Sequence, residues 1–426
     1  MPLDLNTAAA LDAADELAAL RGEFHFPHAE SGGDVRYFAG HSLGLQPLGA
    51  RALVLEALDD WAHFGVEGHF ASKHAWLPYH ELLTESTARL VGALPHEVVV
   101  MNTLTVNVHL MMVSFYRPTA KRYKILIEGG AFPSDQYAVA SQARWHGLDP
   151  NSSIVELLPR SGETTLRDED IQQTIADRGD EIALILLGNC NYLTGQAYDI
   201  AAITRAGHER GCVVGFDLAH GAGNLAVELH KDGPDFAVWC NYKYLNAGPG
   251  GLGGAFVHER HASAAELPRL AGWWGHDKQT RFAMPPKFQA IVGAEGWQLS
   301  NPPILQMAAL RASMALFDLA GMAALRRKSV RMSTELLEFV VDLPSDVVTV
   351  LSPREAHRRG TMITLRIPQH ANSVVNALQQ RGILVDLRQP DIVRISPAPL
   401  YTRFVDIVAV GQALREILLQ VAAASI

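Results

Sequence analysis

From residue 98 onward the hydrophobic positions fall into short, nearly unbroken runs rich in β-branched residues. These are VVVM (98–101), YKILIEG (123–129), IVELLP (154–159), IALILLG (182–188), VVGFDL (213–218), FAVWC (236–240) and GGAFVHE (253–259). Runs that do not alternate with polar positions mark strands buried on both faces. Segments of helical periodicity separate the earlier runs, as in VNVHLMMVSFY (106–116), SDQYAVASQARWH (134–146) and DIAAITRAGHERG (199–211). This alternation predicts an α/β fold whose mostly parallel seven-stranded sheet is flanked by helices, with right-handed crossovers. Before 98 the pattern predicts helices over 1–22, 48–64 and 77–92. Between the first two lies VRYFAGHSLGLQP (35–47), a short strand and a glycine-containing turn. Its apolar content predicts a loop packed against other structure.

After 302 the pattern changes. One long helical stretch runs to about 343 and is expected to break near Gly321. Strands are predicted at 347–352, 361–367, 383–388 and 391–398, with a helix at 373–381 and a final amphipathic helix over 404–423. This is the pattern of a smaller α+β domain. The expected division is an N-terminal segment, 1–50, packing with the small domain, a large cofactor-binding domain, 51–310, and the small domain, 311–426.

Composition narrows the partners. The chain has 426 residues, 48% of them hydrophobic and 19% charged, which is a globular composition. A formal charge of −9 and a pI near 6.0 argue against nucleic acid or an anionic membrane as the main partner. The first twenty residues lack the basic start and apolar core of a secretory signal, and no apolar run approaches a membrane span. Three cysteines (Cys190, Cys212, Cys240) read as buried free thiols, so the expected compartment is the cytoplasm. The eighteen histidines form no HExxH pattern, and His63, His69, His74 and His80 do not share a helix face, so no metal is expected.

The chemistry gathers at predicted strand ends. Asp217 closes VVGFD, and Lys243 follows FAVWC. Open α/β sheets put their chemistry at such ends. A lysine and a carboxylate so placed suit pyridoxal 5′-phosphate (PLP): the amine forms a Schiff base, and the carboxylate pairs with the pyridine nitrogen. Taken alone, the same pair also fits a helix cap and a solvated cation. In MNTLTVNVH (101–109) a strand ends and a helix opens, which can serve an anion or only cap the helix. In EGGAFPSDQYA (128–138), Phe132 is either a stacking ring or a core staple. GPGGLGG (248–254) matches a dinucleotide fingerprint in spacing but leads into a strand, so tight turns are the better reading.

Six segments occur in one family's order: FPSDQYA (132–138), NYLTGQ (191–196), DLAHGAGN (217–224), NYKYLNAGPGG (241–251), GWWGHDKQTRF (272–282) and LSNPPI (299–304). Together with YFAGHSLGLQP near 37 and VRISPAPLY near 401, they make the chain resemble the kynureninases, PLP enzymes of the aspartate-aminotransferase fold type. The resemblance implies hydrolytic cleavage of the Cβ–Cγ bond of kynurenine or 3-hydroxykynurenine. The products are an anthranilate and alanine. By the same resemblance Lys243 is the Schiff-base lysine, Asp217 the pyridinium partner and Phe132 the stacking ring. Leu104, Thr105 and Tyr242 hold the phosphate, while Asp135, Thr194 and His220 fall at other cofactor-contact positions. Tyr242 is the candidate proton relay. Trp273 and Asn301 complete the cofactor site from a second subunit of a homodimer, and Arg394 clamps the α-carboxylate of a small amino-acid substrate. His69, Ser300 and Asn301 are polar where the ring of the substrate is expected, which favours the 3-hydroxy substrate. For Ser300 and Asn301 a simple chain turn before Pro302 is the alternative.

Other enzymes of the same fold type are the first rivals. A cysteine desulfurase needs an exposed nucleophilic cysteine, and the chain has none after Cys240. An aminotransferase has no use for the FPSD and SNPPI segments. A non-catalytic binding homologue has no need to keep Lys243, Asp217 and Arg394 together.

Overall fold

The computed structural model describes residues 2–30, 32–264 and 266–424. Seven strands form the principal sheet: β1 (Val98–Met101), β2 (Lys124–Glu128), β3 (Ile154–Leu157), β4 (Ile182–Gly188), β5 (Val213–Asp217), β6 (Phe236–Cys240) and β7 (Gly253–Val257). Their order is β1-β7-β6-β5-β4-β2-β3. β2 to β6 pair in parallel, whereas β7 runs antiparallel to both β6 and β1. β1 therefore points the same way as β2 to β6, and six strands deliver their C-terminal ends to one rim.

The unbroken apolar runs have a direct cause. Successive residues of one strand feed cores on opposite faces of the sheet. Leu126, Ile185, Ala237 and Trp239 enter one core, and Ile127, Leu184, Phe236 and Val238 enter the other. Each fully buried large side chain contributes about 1.5–3 kcal/mol. At β7 the sheet packs so closely that a Cβ at Gly254 would strike the Trp239 ring.

A second, antiparallel sheet takes the order Asp386–Arg388, Ile392–Ile395, Ile363–Arg366, Thr349–Val350. Helices Met322–Glu338, Ala371–Gln380 and Phe404–Ala424 accompany it, and its core also takes Ala8 from the N-terminal helix Leu5–Ala13 and Leu3 just before that helix. The helical stretch after 302 breaks at Gly321 (φ 70°) into Ile304–Ala320 and Met322–Glu338, which meet at 82°. Among the described residues no single helix is long and apolar enough to cross a membrane.

Two predicted elements are shorter than expected. The helix over 1–22 stops at Ala13 and resumes as a 3-10 turn at Ala18–Glu23. The Asp15 carboxylate accepts from the Leu17 amide at 3.0 Å, which offers the backbone an alternative to the helix. The strand over 347–352 reduces to Thr349–Val350. Its first residues turn instead, with the Val347 and Val348 amides both donating to the Pro344 carbonyl at 3.1 Å.

The loop at 35–47 does pack, and against the most consequential neighbour available. The Gly44 amide donates to the Tyr242 carbonyl at 2.9 Å. A Cβ at Gly44 would strike the Lys243 carbonyl and the Asn246 side chain, so only glycine permits the approach. The same segment pairs Arg36–Tyr37 in parallel with Ile383–Leu384.

Candidate active site

The rim formed by β1, β2, β4, β5 and β6 encloses a cavity of about 140 Å³. The helix Leu104–Phe115 starts at its edge, and Thr103, Leu104 and Thr105 line it. Asn102 takes a left-handed conformation (φ 50°) at the turn, a geometry asparagine tolerates better than most residues. Its Nδ2 donates to Asn107 Oδ1 at 3.0 Å, which fixes the entry to the helix. The Thr103 side chain makes no capping bond. The amides of the first turn thus face the cavity without a side-chain cap, as an anion site requires.

At the opposite side sit three carboxyl groups. Asp217 ends β5, is buried, and accepts from the Ala219 amide at 2.6 Å. Burial pushes its carboxyl up, and Lys243 opposes that rise. Asp135 lies in the first turn of the helix Pro133–Trp145. Burial and the adjacent Asp217 push its carboxyl well above the usual range. Glu128 ends β2 and is likewise raised by burial.

Lys243 emerges three residues after β6, with Nζ 5.8 Å from the centre of the Phe132 ring and 6.0 Å from that of Tyr242. Phe132 is 39% exposed and stands edge-on to Tyr192 at 5.2 Å, so it faces the cavity and is not a core staple. His220 lines the wall with Nδ1 unpartnered, and burial followed by Lys243 keeps its imidazole well below the usual range and neutral. Burial raises the Tyr242 phenol, which therefore keeps its proton near neutrality.

Of the residues named from the sequence, Leu104, Thr105, Phe132, Asp135, Asp217, His220, Tyr242 and Lys243 share this cavity. Thr194 stands just behind it, its amide and hydroxyl both donating to Asn191 Oδ1 at 2.8 and 3.1 Å. Arg394, on the small sheet, reaches the site through Tyr192, whose carbonyl accepts from Nη1 at 2.7 Å. His69, Trp273, Ser300 and Asn301 lie outside the cavity lining. Trp273 instead joins an exposed aromatic group in which it lies 5.5 Å from Phe282, and Phe282 lies 6.5 Å from Phe70. GPGGLGG forms turns with positive φ at Gly248 and Gly250 before entering β7.

Comparison with known proteins settles the lineage. A family model, Kynureninase C-terminal domain, matches residues 325–414. The kynureninase of Myxococcus xanthus is 63% identical over 398 residues, covering 93% of each chain. That of Koribacter versatilis is 58% identical over 94% of this chain and 95% of its own. The chain belongs to the kynureninase family. Among solved structures, a cysteine desulfurase from Escherichia coli superposes with a TM-score of 0.74 at 18% identity, over 95% of this chain and 99% of that one. A cystine C-S lyase gives 0.75 at 18% identity, over 90% and 97%. At such identity these two show the shared fold alone.

Kynureninase is a hydrolase that uses PLP, and the donor set fits that cofactor. A phosphate matches the uncapped helix start, a pyridine nitrogen matches Asp217, and the flat ring matches the exposed face of Phe132. A kynureninase has no need of the desulfurase thiol. Cys190 does line the cavity, but burial pushes it up to about 12, which leaves an inert thiol.

Five residues of this kynureninase site were not picked out from the sequence. Glu128 ends a buried strand just as Asp217 does, and the same signal could have found it. Asn191 and Tyr198 both donate to Glu128 Oε2, at 3.0 and 2.7 Å. Asp386 lies 2.7 Å from both Nε and Nη2 of Arg394. His41 is fully buried 3.8 Å from Asp386, and burial lowers its imidazole to about 4. The last four carried no signal beyond membership of segments that the fold folds inward.

Proposed function

We propose that this kynureninase prefers 3-hydroxy-L-kynurenine, which it hydrolyses to 3-hydroxyanthranilate and L-alanine. The observation that carries the assignment of roles is the convergence of Lys243, Asp217 and the uncapped helix start on one cavity, with Arg394 one residue contact away. Bound there, PLP supplies an electron sink that makes the substrate Cα proton acidic and the Cβ–Cγ bond labile. Asp217 would hold the pyridine nitrogen, Phe132 would cover the ring face, and the Leu104–Thr105 turn would take the phosphate. Arg394 would grip the α-carboxylate with a bidentate fork. The Lys243 amine would take the proton from the substrate Cα. Water adds to the side-chain carbonyl carbon, and Tyr242, a protonated phenol, moves the proton at the carbonyl oxygen. The Cβ–Cγ bond would then break, the acyl part leaving as the aromatic acid, and protons delivered to Cβ and back to Cα would yield alanine. Acid–base help of this kind is worth about 10²–10⁴-fold.

The preference for the hydroxylated ring rests on His69, Ser300 and Asn301, polar groups suited to bond a phenol. They serve it together with Trp273 across a homodimer interface that covers the exposed Trp273, Phe282 and Phe70. The organisation into 1–50, 51–310 and 311–426, with Thr194 and Asp135 as cofactor contacts, and a cytoplasmic location complete this reading.

The test is a product assay on both kynurenines, with Lys243→Ala as control. The wild-type protein should be yellow, hydride reduction should fix the cofactor on Lys243, and kcat/KM should be higher for the 3-hydroxy substrate. A clear preference for kynurenine refutes the specificity. Undiminished turnover by Lys243→Ala refutes the assignment of roles.

A further inference from the structure

We infer that Glu128 is a positioning residue for the substrate carboxylate, acting through the Asn191–Tyr192 turn on Arg394. The inference rests on Arg394 being the carboxylate clamp. Glu128 Oε2 accepts from Asn191 Nδ2 at 3.0 Å and from the Tyr198 hydroxyl at 2.7 Å. Asn191 spends its other side-chain atom on the turn it belongs to. Its Oδ1 accepts from the Leu193 amide at 2.9 Å, and from the amide and hydroxyl of Thr194. The backbone closes the same loop, with the Asn191 amide donating to the Gln196 carbonyl at 2.7 Å and the Gly195 amide to the Asn191 carbonyl at 3.0 Å. Residues 191–196 are thus a closed unit, and the Asn191 bond to Glu128 ties it to the principal sheet.

Two of its outward-facing groups reach the small sheet, while Gly195 and Gln196 also bond Gly360 and Leu166. The Tyr192 carbonyl accepts from Arg394 Nη1 at 2.7 Å, and the Leu193 carbonyl accepts from the Thr364 hydroxyl at 2.6 Å. Both partners belong to the small sheet. Arg394 is otherwise held by Asp386 through Nε and Nη2. A guanidinium carries five N–H bonds. Three are used in this way, and one on each terminal nitrogen remains, a pair suited to a carboxylate. The direction of that pair depends on both anchors. Asp386 fixes one from within the small sheet, and the Tyr192 carbonyl fixes the other relative to the cavity. Glu128 also lines the cavity beside Gly188 and faces Asp217, so one buried carboxyl stands between the cofactor end of the site and the clamp.

The test uses PLP-loaded enzyme. Calorimetry gives the Kd of L-alanine, which carries the carboxylate without the ring, and steady-state kinetics gives KM and kcat. Glu128→Ala should raise Kd and KM roughly tenfold, the scale of one hydrogen bond to a charged group, with kcat changed far less. Glu128→Gln, which can still accept from Asn191, should restore both. Asn191→Leu should reproduce the loss and serves if Glu128→Ala does not fold. In an Arg394→Ala background the Glu128→Ala effect should vanish. If it persists there at full size while Arg394→Ala alone weakens alanine binding, the role of Glu128 is refuted and the clamp stands. If Arg394→Ala binds L-alanine as well as wild type does, the clamp assignment falls, and this inference with it.

Discussion

Replacing Asp386 with alanine isolates the electrostatics of Arg394, the proposed carboxylate clamp. Arg394 is 1% exposed, and both its Nε and Nη2 lie 2.7 Å from Asp386 Oδ2. Although burial opposes its charge, Asp386 is held well below the usual carboxylate range by His41 and Arg394. Asp386→Ala leaves the guanidinium buried with the Tyr192 carbonyl as its remaining anchor. Breaking a buried pair by removing one partner costs about 3–5 kcal/mol. The Asp386 side chain is 16% exposed, so water reaches the gap and the low end, about 3 kcal/mol, applies. The assay is thermal and urea unfolding of the PLP-loaded protein, with and without saturating L-alanine. The variant should be less stable. It should also gain more from L-alanine than wild type does, because the ligand carboxylate supplies the missing counter-charge. Unchanged stability, or equal gains from the ligand, would refute the reasoning.

Three further outcomes can be measured. Glu295 is partly buried against Lys278 at 2.6 Å and His80 at 3.3 Å, and these partners overcome burial to lower it to about 2 from an unfolded value of 4.5. A depressed carboxylate stabilises above its unfolded pKa and loses that contribution as pH falls through its folded pKa. Glu295→Gln should therefore cost about 3 kcal/mol at pH 7, with the difference from wild type shrinking between pH 4.5 and 2 in urea titrations. Gly254→Ala should lower the melting temperature and the PLP content together, because the added methyl displaces Trp239, whose Nε1 donates to Asn241 Oδ1 at 3.0 Å, two residues before Lys243. A colour-forming thiol reagent should find Cys190, Cys212 and Cys240 unreactive in the native protein and all three reactive in denaturant, since each is buried and raised; rapid native labelling would contradict this.

The large sheet was legible because its strands are buried on both faces, and such strands write their boundaries in apolar runs. Asp217 and Lys243 were legible because strand ends mark the rim. Glu128 carried the same mark and was passed over, since its partners Asn191 and Tyr198 lie 63 and 70 residues away. Asp386 and His41 could not be read at all. Their meaning comes from Arg394 and from each other, across 345 residues of chain between them, and no periodicity encodes such a meeting. The short strand at Thr349–Val350 shows a different limit: the apolar pattern begins before the ladder because the Val347 and Val348 amides bond back to the Pro344 carbonyl in a turn.

The contact of Gly44 with the lysine loop bears on how the protein is made. The segment that touches the Tyr242 and Lys243 backbone is also pinned through Arg36–Tyr37 to Ile383–Leu384. During synthesis the first part of the chain emerges long before either anchor exists, and the second anchor arrives only when nearly the whole protein has been translated. Contacts of such sequence separation form late and at high loop-closure cost. The principal sheet can assemble while the ribosome is still working, but the segment behind the Lys243 loop is pinned at both ends only after residues 383–384 have emerged. Nascent chains should therefore gain affinity for PLP in one step near the end of translation, a timing that keeps the reactive lysine from committing to an unfinished site.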